Sequence, residues 1–505
     1  MKNGFKIITY VVLILLAVFP TQLHASPPVI SNIYSIPALT IQSDVGITNQ
    51  IQYSTNLSVS NWTVLTNLFV SQSPYVFVDT TATPVGHRFY RVVAIAQPPV
   101  AATLGISGLA ANVTAGSSAN FTVTAKATNG TTVSGYTGTV HFTSSDPQAV
   151  LPANYTFTLG DSGTHTFSLN LKTVGIQSVT ATDIANSSVN GTQSGIAVSP
   201  GAVSVFSFSG FSSTVSAGVQ GNLTVTAKDA YGNTAVSYNG TIHFTSSDPQ
   251  AILPANYTFT GGDAGNHLFS LNLRTAGIQS VTASDSLNVS ITGSQSGITV
   301  VPGTATNLAL FSGNNQIGIA GTSLASPLKV RVTDIGGNPV SGISVTWAAT
   351  AGGTGVAVGS ASTITDASGI ASTSATLGST GGANTFTATV AGLTGSPISF
   401  SATAAKSLVV NSGNNQSGTA GTSLASPLVV KVTDNVGNPV AGITVTWAVT
   451  TGGTGAAISP NTSVTSGSGL AQATATVGST PGANTFRATV SGLSGSPVSF
   501  SATGL

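Results

Sequence analysis

Apolar and polar residues alternate along this chain in short runs. Asn222-Leu-Thr-Val-Thr-Ala-Lys228, Thr241-Ile-His-Phe-Thr245, His267-Leu-Phe-Ser-Leu-Asn-Leu273 and Ser280-Val-Thr-Ala283 all show it. A period of two places successive side chains on opposite faces, which is the signature of a half-buried strand. Clusters such as Asp229-Ala-Tyr-Gly-Asn233 break the runs about every ten residues and predict turns between antiparallel strands. No sustained helical stripe occurs beyond the N-terminus. The pattern predicts an all-β chain of packed sheets.

The one long apolar run lies at the N-terminus. Lys2 and Lys6 precede a stretch from Ile7 to Phe19, followed by Pro20 and by Leu23-His24-Ala25 before Ser26. Basic start, apolar core and small residue at the cut predict a secretory signal peptide over residues 1–25. The apolar core is shorter than the roughly 20 residues a comfortable helical span needs. No membrane span is expected once the signal is cleaved.

Internal repeats set the architecture. His141-Phe-Thr-Ser-Ser-Asp146-Pro-Gln-Ala149 recurs unchanged 102 residues later as His243–Ala251. Asp161, His165 and Gly175-Ile-Gln-Ser-Val-Thr-Ala181 recur at the same shift. A second pair repeats at 100 residues: Ala320-Gly-Thr-Ser-Leu-Ala-Ser-Pro-Leu328 returns as Ala420–Leu428, and Trp347 as Trp447. A period near 100 fits one independently folded sandwich per copy, and exceeds the roughly 20–50 residues of solenoid repeats. The expected modules are A1 (98–200), A2 (201–302), B1 (303–405) and B2 (406–505), after a distinct strand-rich module at 26–97. Pro200-Gly201 and Pro302-Gly303 mark two joints, and Ala404-Ala405-Lys406 marks the last less sharply. Short links predict an extended string.

Composition narrows the chemistry. The 505 residues carry 13 Lys+Arg and 12 acids, every acid an aspartate, with no cysteine. Charged residues make up 5%, against about 25% in ordinary globular proteins. Without Lys2 and Lys6 the mature chain is close to neutral. Nucleic-acid binding is therefore not expected, nor are disulfides, thiolate metal sites or a cysteine nucleophile. The positive mean hydropathy of +0.34 follows from the missing charge.

Few constellations could carry chemistry. Asp334-x-x-Gly-Asn338 and Asp434-x-x-Gly-Asn438 look like calcium loops, but each holds one carboxylate where calcium takes about six to eight oxygens. Tight turns explain them better. His141 and His165, repeated as His243 and His267, could join Asp146 at a metal, but the spacing matches no zinc pattern. Ser144, His141 and Asp146 make no credible triad, because His141 and Ser144 lie three apart on one strand and face opposite sides. Asp146 and Asp161 are the nearest approach to a glycosidase carboxylate pair, and both sit in turn segments. The expectation is no catalytic residue, no metal and no cofactor. Trp347 and Trp447 are expected in sandwich cores. Trp62, with Tyr53, Tyr75 and Tyr90, belongs either to the packing of the first module or to an exposed sugar-stacking face.

Val330-Arg-Val-Thr-Asp334-Ile-Gly-Gly-Asn-Pro339-Val-Ser-Gly342-Ile-Ser-Val-Thr-Trp347, with its copy at 430–447, resembles the bacterial Ig-like (Big-1) domains of invasin- and intimin-type adhesins. Gly138-Thr-Val-His-Phe-Thr-Ser-Ser-Asp146-Pro resembles a related Ig-like repeat of large secreted and surface proteins, and residues 27–97 resemble a fibronectin-III-like module. The resemblance implies tandem Ig-like and fibronectin-III-like β-sandwiches in a secreted or cell-surface, non-enzymatic rod that adheres or spaces. Surface glycan or matrix protein is the implied partner. One rival reading is a glycan-binding protein working through the first module. A weaker one is the accessory portion of a secreted polysaccharide-degrading enzyme. Adhesin sandwiches can carry a Lys–Asn isopeptide staple, for which Lys126 and Lys228 are the remote candidates here. The Asn-x-Ser/Thr triplets, such as Asn154-Tyr-Thr156, are expected by chance in a chain so rich in Asn and Thr.

Overall fold

The computed structural model describes residues 38–41, 48–56, 58, 61–83, 88–95 and 98–505. The signal-peptide segment lies outside them. The described residues are built from strands, with two short 3-10 turns at Leu159–Asp161 and Gly261–Asp263. No helix among them is long and apolar enough to cross a membrane. The chain divides into two compact units, residues 1–199 and 200–505.

The first unit begins with a small pair of sheets. Thr63–Phe69, Thr48–Ser54 and Phe89–Ala94 form one, and Ala38–Ile41 pairs with Tyr75–Val78 in the other. Leu39, Ile41 and Ile51 are the buried centre, joined by Leu65, Leu68, Phe77, Tyr90 and Val92. Residues 103–199 of the same unit are module A1. Three strands face five: Thr164–Asn170, Ser118–Lys126 and Thr103–Ser107 against Tyr155–Thr156, Thr139–Ser144, Gly175–Asp183, Asn190–Ser199 and Asn112–Thr114. The alternation read from the sequence is the burial pattern. In Ser118–Lys126, Phe121, Val123 and Ala125 point inward and are 1% exposed or less. Phe121, Phe142 and Phe167 meet at ring distances of 4.7–5.7 Å across the two sheets. Each such fully buried side chain contributes about 1.5–3 kcal/mol relative to exposure, which lets a cysteine-free sandwich stand.

The second unit holds three sandwiches. A2 repeats the sheet orders of A1 over residues 203–301, and B1 and B2 span 305–405 and 407–504. In all four modules the first strand changes sheets. Thr103–Ser107 pairs antiparallel in the small sheet, and Asn112–Thr114 then runs parallel to the last strand in the large one. A left-handed glycine ends that first strand in every copy: Gly108, Gly210, Gly313 and Gly413, with φ between +85° and +92°. A side chain there would strain the crossover. In B1, Trp347 is 2% exposed, lies 5.9 Å from Phe400, and donates its indole N–H to Thr363 at 2.8 Å. Trp447 does the same with Phe500 and Ser463 in B2. These are the core tryptophans that the alternation predicted. The architecture is tandem Ig-like β-sandwiches.

Candidate functional site

The aspartates are where chemistry would have to begin, because they are the only acids. Asp146 follows the strand Thr139–Ser144 at a Pro-containing turn. Its Oδ1 accepts the Gln148 N–H at 2.9 Å, and its Oδ2 accepts those of Lys172 and Thr173 at 2.5 and 2.9 Å. Burial pushes this carboxyl up, but hydrogen bonds from Thr173, Lys172 and Gln148 outweigh burial and hold it below the ordinary range. Asp248 repeats the arrangement with Gln250, Arg274 and Thr275.

Asp161 closes a 3-10 turn. The Thr158 backbone N–H and hydroxyl donate to its Oδ2 at 2.6 and 2.8 Å. Its Oδ1 meets the His165 Nδ1 at 2.7 Å, and the Tyr155 hydroxyl donates to the same carboxylate at 3.1 Å. The Tyr155 and His165 rings stack at 4.0 Å. The Thr158 N–H, the His165 ring and the Thr158 hydroxyl hold Asp161 far below the usual carboxylate range. A2 reproduces this cluster with Asp263, His267, Tyr257 and Thr260. A glycosidase pair needs one carboxyl raised toward neutrality. Asp146 and Asp161 are both moved the opposite way.

The histidines do not converge. His141 lies in the five-stranded sheet and pairs its Nδ1 with Asn154 Oδ1 at 2.8 Å, while His165 lies in the three-stranded sheet. Among the described residues no three His or Asp side chains gather as metal ligands. Ser144 donates to the Ser178 carbonyl at 2.8 Å and serves the backbone. The Asp161–His165 pair is two-thirds of a relay for activating a hydroxyl, but His141 and Ser144 are not part of it. The i, i+4 spacing of Asp161 and His165, repeated at Asp263 and His267, was the signal that could have shown this pairing. Lys228 Nζ donates to the Gly232 carbonyl at 3.0 Å, a non-covalent partner where a staple would need an asparagine side chain.

The Asp-x-x-Gly-Asn loops are turns held by N–H donors. Asp334 Oδ1 accepts the N–H groups of Gly336 and Asn338, both at 2.9 Å. Its Oδ2 accepts the Gly303 N–H at 2.7 Å and the Asn338 carboxamide at 2.9 Å. A calcium site is the reverse arrangement, with oxygens converging on one point. Asp434 accepts from Val436, Asn438 and the Asn438 carboxamide.

In the first module the four aromatics Trp62, Tyr53, Tyr75 and Tyr90 are divided between surfaces. The Arg88 guanidinium lies 4.1 Å from the Tyr53 ring, and Arg88 and the Tyr90 hydroxyl donate to buried Asp79 at 2.7 and 2.8 Å. Trp62 instead lies 4.6 Å from the Arg91 guanidinium. Strand alternation puts Arg91, Gln52 and Gln50 on one face of the three-stranded sheet. Arg91 donates to Gln52 at 2.6 Å, Gln52 to Gln50, and Gln50 to Asn67 at 3.2 Å. Tyr75 stands on the other, two-stranded sheet.

No family model matches the chain, and no curated protein matches it. Among solved structures it is similar to the Escherichia coli adhesin FdeC, at 20% identity and TM-score 0.34, over 61% of this chain and 99% of that one. It is also similar to invasin, a bacterial integrin-binding protein, at 15% identity and TM-score 0.32, over 80% of this chain and 79% of that one. The D0-D1 domain of intimin matches at 20% identity and TM-score 0.18, over 39% of this chain and 95% of that one.

Proposed function

We propose that this chain is a secreted or cell-surface, non-enzymatic string of β-sandwich modules that acts as a spacer or adhesin. One observation carries the reading. Every described aspartate carboxylate is engaged by N–H or O–H donors of its own fold, and two of the module types are each present in two near copies. Copying such a module adds length without adding chemistry. The signal pattern at residues 1–25 supports export, and N-terminal sequencing of exported chain is expected to begin at Ser26. The first module is read as fibronectin-III-like.

The deciding experiment is binding of purified residues 26–505 to an array of glycans and matrix proteins, with calcium or chelator in parallel. A specific hit unchanged by chelator supports an adhesin. Loss of the hit in chelator overturns the turn reading of the Asp loops. Turnover in a hydrolase screen would overturn the non-enzymatic reading.

The Trp62–Arg91 contact favours a second reading, in which the first module binds glycan. An indole beside a row of side-chain amides suits a neutral sugar, whose rings stack and whose hydroxyls take hydrogen bonds. Trp62→Ala is expected to abolish glycan retention on this reading, and unchanged retention excludes this face.

A further inference from the structure

The two joints of the second unit are made by the same loop in two different ways. In B1 the loop Asp334-Ile-Gly-Gly-Asn338 reaches into A2. The Asn338 carboxamide donates to the Arg274 carbonyl at 2.6 Å and accepts the Ala276 N–H at 2.8 Å. It thereby pairs with A2 as a peptide group pairs in a ladder. Gln250 of A2 returns a bond from its Nε2 to the Gly336 carbonyl at 2.9 Å. Gly336 is pressed so close that an added Cβ would stand 2.1 Å from the Arg274 oxygen. Asp334 also binds the linker N–H of Gly303. The loop fastens the linker and the neighbouring module together.

In B2 the matching loop is Asp434-Asn-Val-Gly-Asn438. Among the described residues the Asn438 Nδ2 bonds its own Asp434 at 2.9 Å and makes no bond across the joint. Val436, 73% exposed, stands where B1 has Gly336. The turn itself therefore does not need a glycine at that position; the close approach to A2 does. B1 meets B2 through a mixed contact: Ile319 packs against the B2 core, Gly442 and Gly492 lie beside Ile317 and Ile319, and Asn435 of the loop lies against Gly381 and Gly382 of B1. The linker Lys406 Nζ donates to the Ser379 carbonyl at 2.8 Å.

We infer that the Asp-x-x-Gly-Asn loop is an intermodule latch, hydrogen-bonded across A2–B1 and held only by contact across B1–B2, so that the second joint is the hinge of this unit. Directional hydrogen bonds on both edges of one carboxamide fix rotation as well as distance. Apolar contact is non-directional and allows the modules to rock. The inference holds whether or not the chain binds a ligand.

The chain has no cysteine, so spin labels can be placed uniquely. Exposed Leu287 in A2, Ile364 in B1 and Val464 in B2 serve as label sites through Leu287→Cys, Ile364→Cys and Val464→Cys in residues 26–505. Pulsed dipolar distances across A2–B1 are expected to be narrow, and those across B1–B2 at least twice as broad. Asn338→Ala with Gln250→Ala is expected to broaden the first to match the second. Gln250→Ala alone, which leaves the B1 loop intact, gives a smaller broadening in the same direction. Asn438→Ala is expected to change neither. Equal widths in the parent chain overturn the inference, as does an unchanged A2–B1 width in the Gln250 variant.

Discussion

The A2–B1 and B1–B2 joints use loops of nearly the same sequence and differ in what lies opposite them. A2 offers a carbonyl, an N–H and the Gln250 carboxamide, and B1 answers with Asn338 and a glycine thin enough to approach. B1 offers B2 the apolar end of the strand Gln316–Ile319 and the Gly381–Gly382 turn, against which Asn435 lies. The loop's own turn is conserved between the copies, because Asp334 and Asp434 each collect the N–H groups that follow them. What changes is two neighbouring side chains, Ile335 and Gly336 against Asn435 and Val436. A repeat can thus keep its fold while its joint is rewritten at two adjacent positions.

That contrast can be broken at several points. Ile319→Asp should have the largest effect, since it sets a charge against the B2 core. We expect about 2–4 kcal/mol off the unfolding free energy of B2, read by Trp447 fluorescence in urea with Trp62 and Trp347 replaced by Phe, while the A2–B1 joint is unaffected. Gly336→Val puts the B2 residue into the B1 loop and should cost about 1–3 kcal/mol through overpacking against Arg274, with wild-type hydrogen-exchange protection retained at Leu328–Asp334. Val436→Gly, the reverse exchange, should cost less than about 1 kcal/mol, as a surface change of backbone entropy; a larger loss would mean that Val436 supports its joint.

Asn338→Ala should exceed Asn438→Ala by about 1–2 kcal/mol, because only the first leaves partners unpaired in a neighbouring module; equal values in thermal unfolding would remove the energetic basis of the comparison. The smallest effect is on pH. Asp248 holds the Arg274 and Thr275 N–H groups, and so shapes the surface that receives Asn338. Hydrogen bonds outweigh burial and keep its folded pKa below the ordinary range. Its stabilising contribution is therefore present above about pH 4, the unfolded value, and is lost as pH falls through the lowered folded one. Exchange at 274–276 should accelerate in acid before exchange at the apolar joint does.

Much of the candidate chemistry was readable in the residues, and some was not. The scarcity of acids and the turn context of Asp146, Asp334 and Asp434 pointed to capping, and the geometry gives each a set of N–H donors. The spacing of Asp161 and His165 was visible, but their meeting depends on the 3-10 turn that brings position 161 back beneath the strand Thr164–Asn170. Which aromatics of the first module lie together was not readable for a related reason. Alternation fixes which residues of one strand share a face, but pairing decides which strand lies beside it, and Trp62 meets Arg91 while Tyr53 meets Arg88.

The sequence by itself determined that this protein is a series of β-sandwiches. Period-two alternation, glycine-rich turns and whole-module repeats are local properties, and each module buries its own apolar core, with Phe and Val in A2 and Trp added in B1 and B2. Only the tertiary structure decided what the repeated loops do. Whether Asn338 closes on its own turn or on another module depends on backbone groups more than sixty residues away, at Arg274 and Ala276. The hydrogen bonds that separate a latched joint from an apolar one are set by that three-dimensional proximity, which the pattern along the chain does not encode.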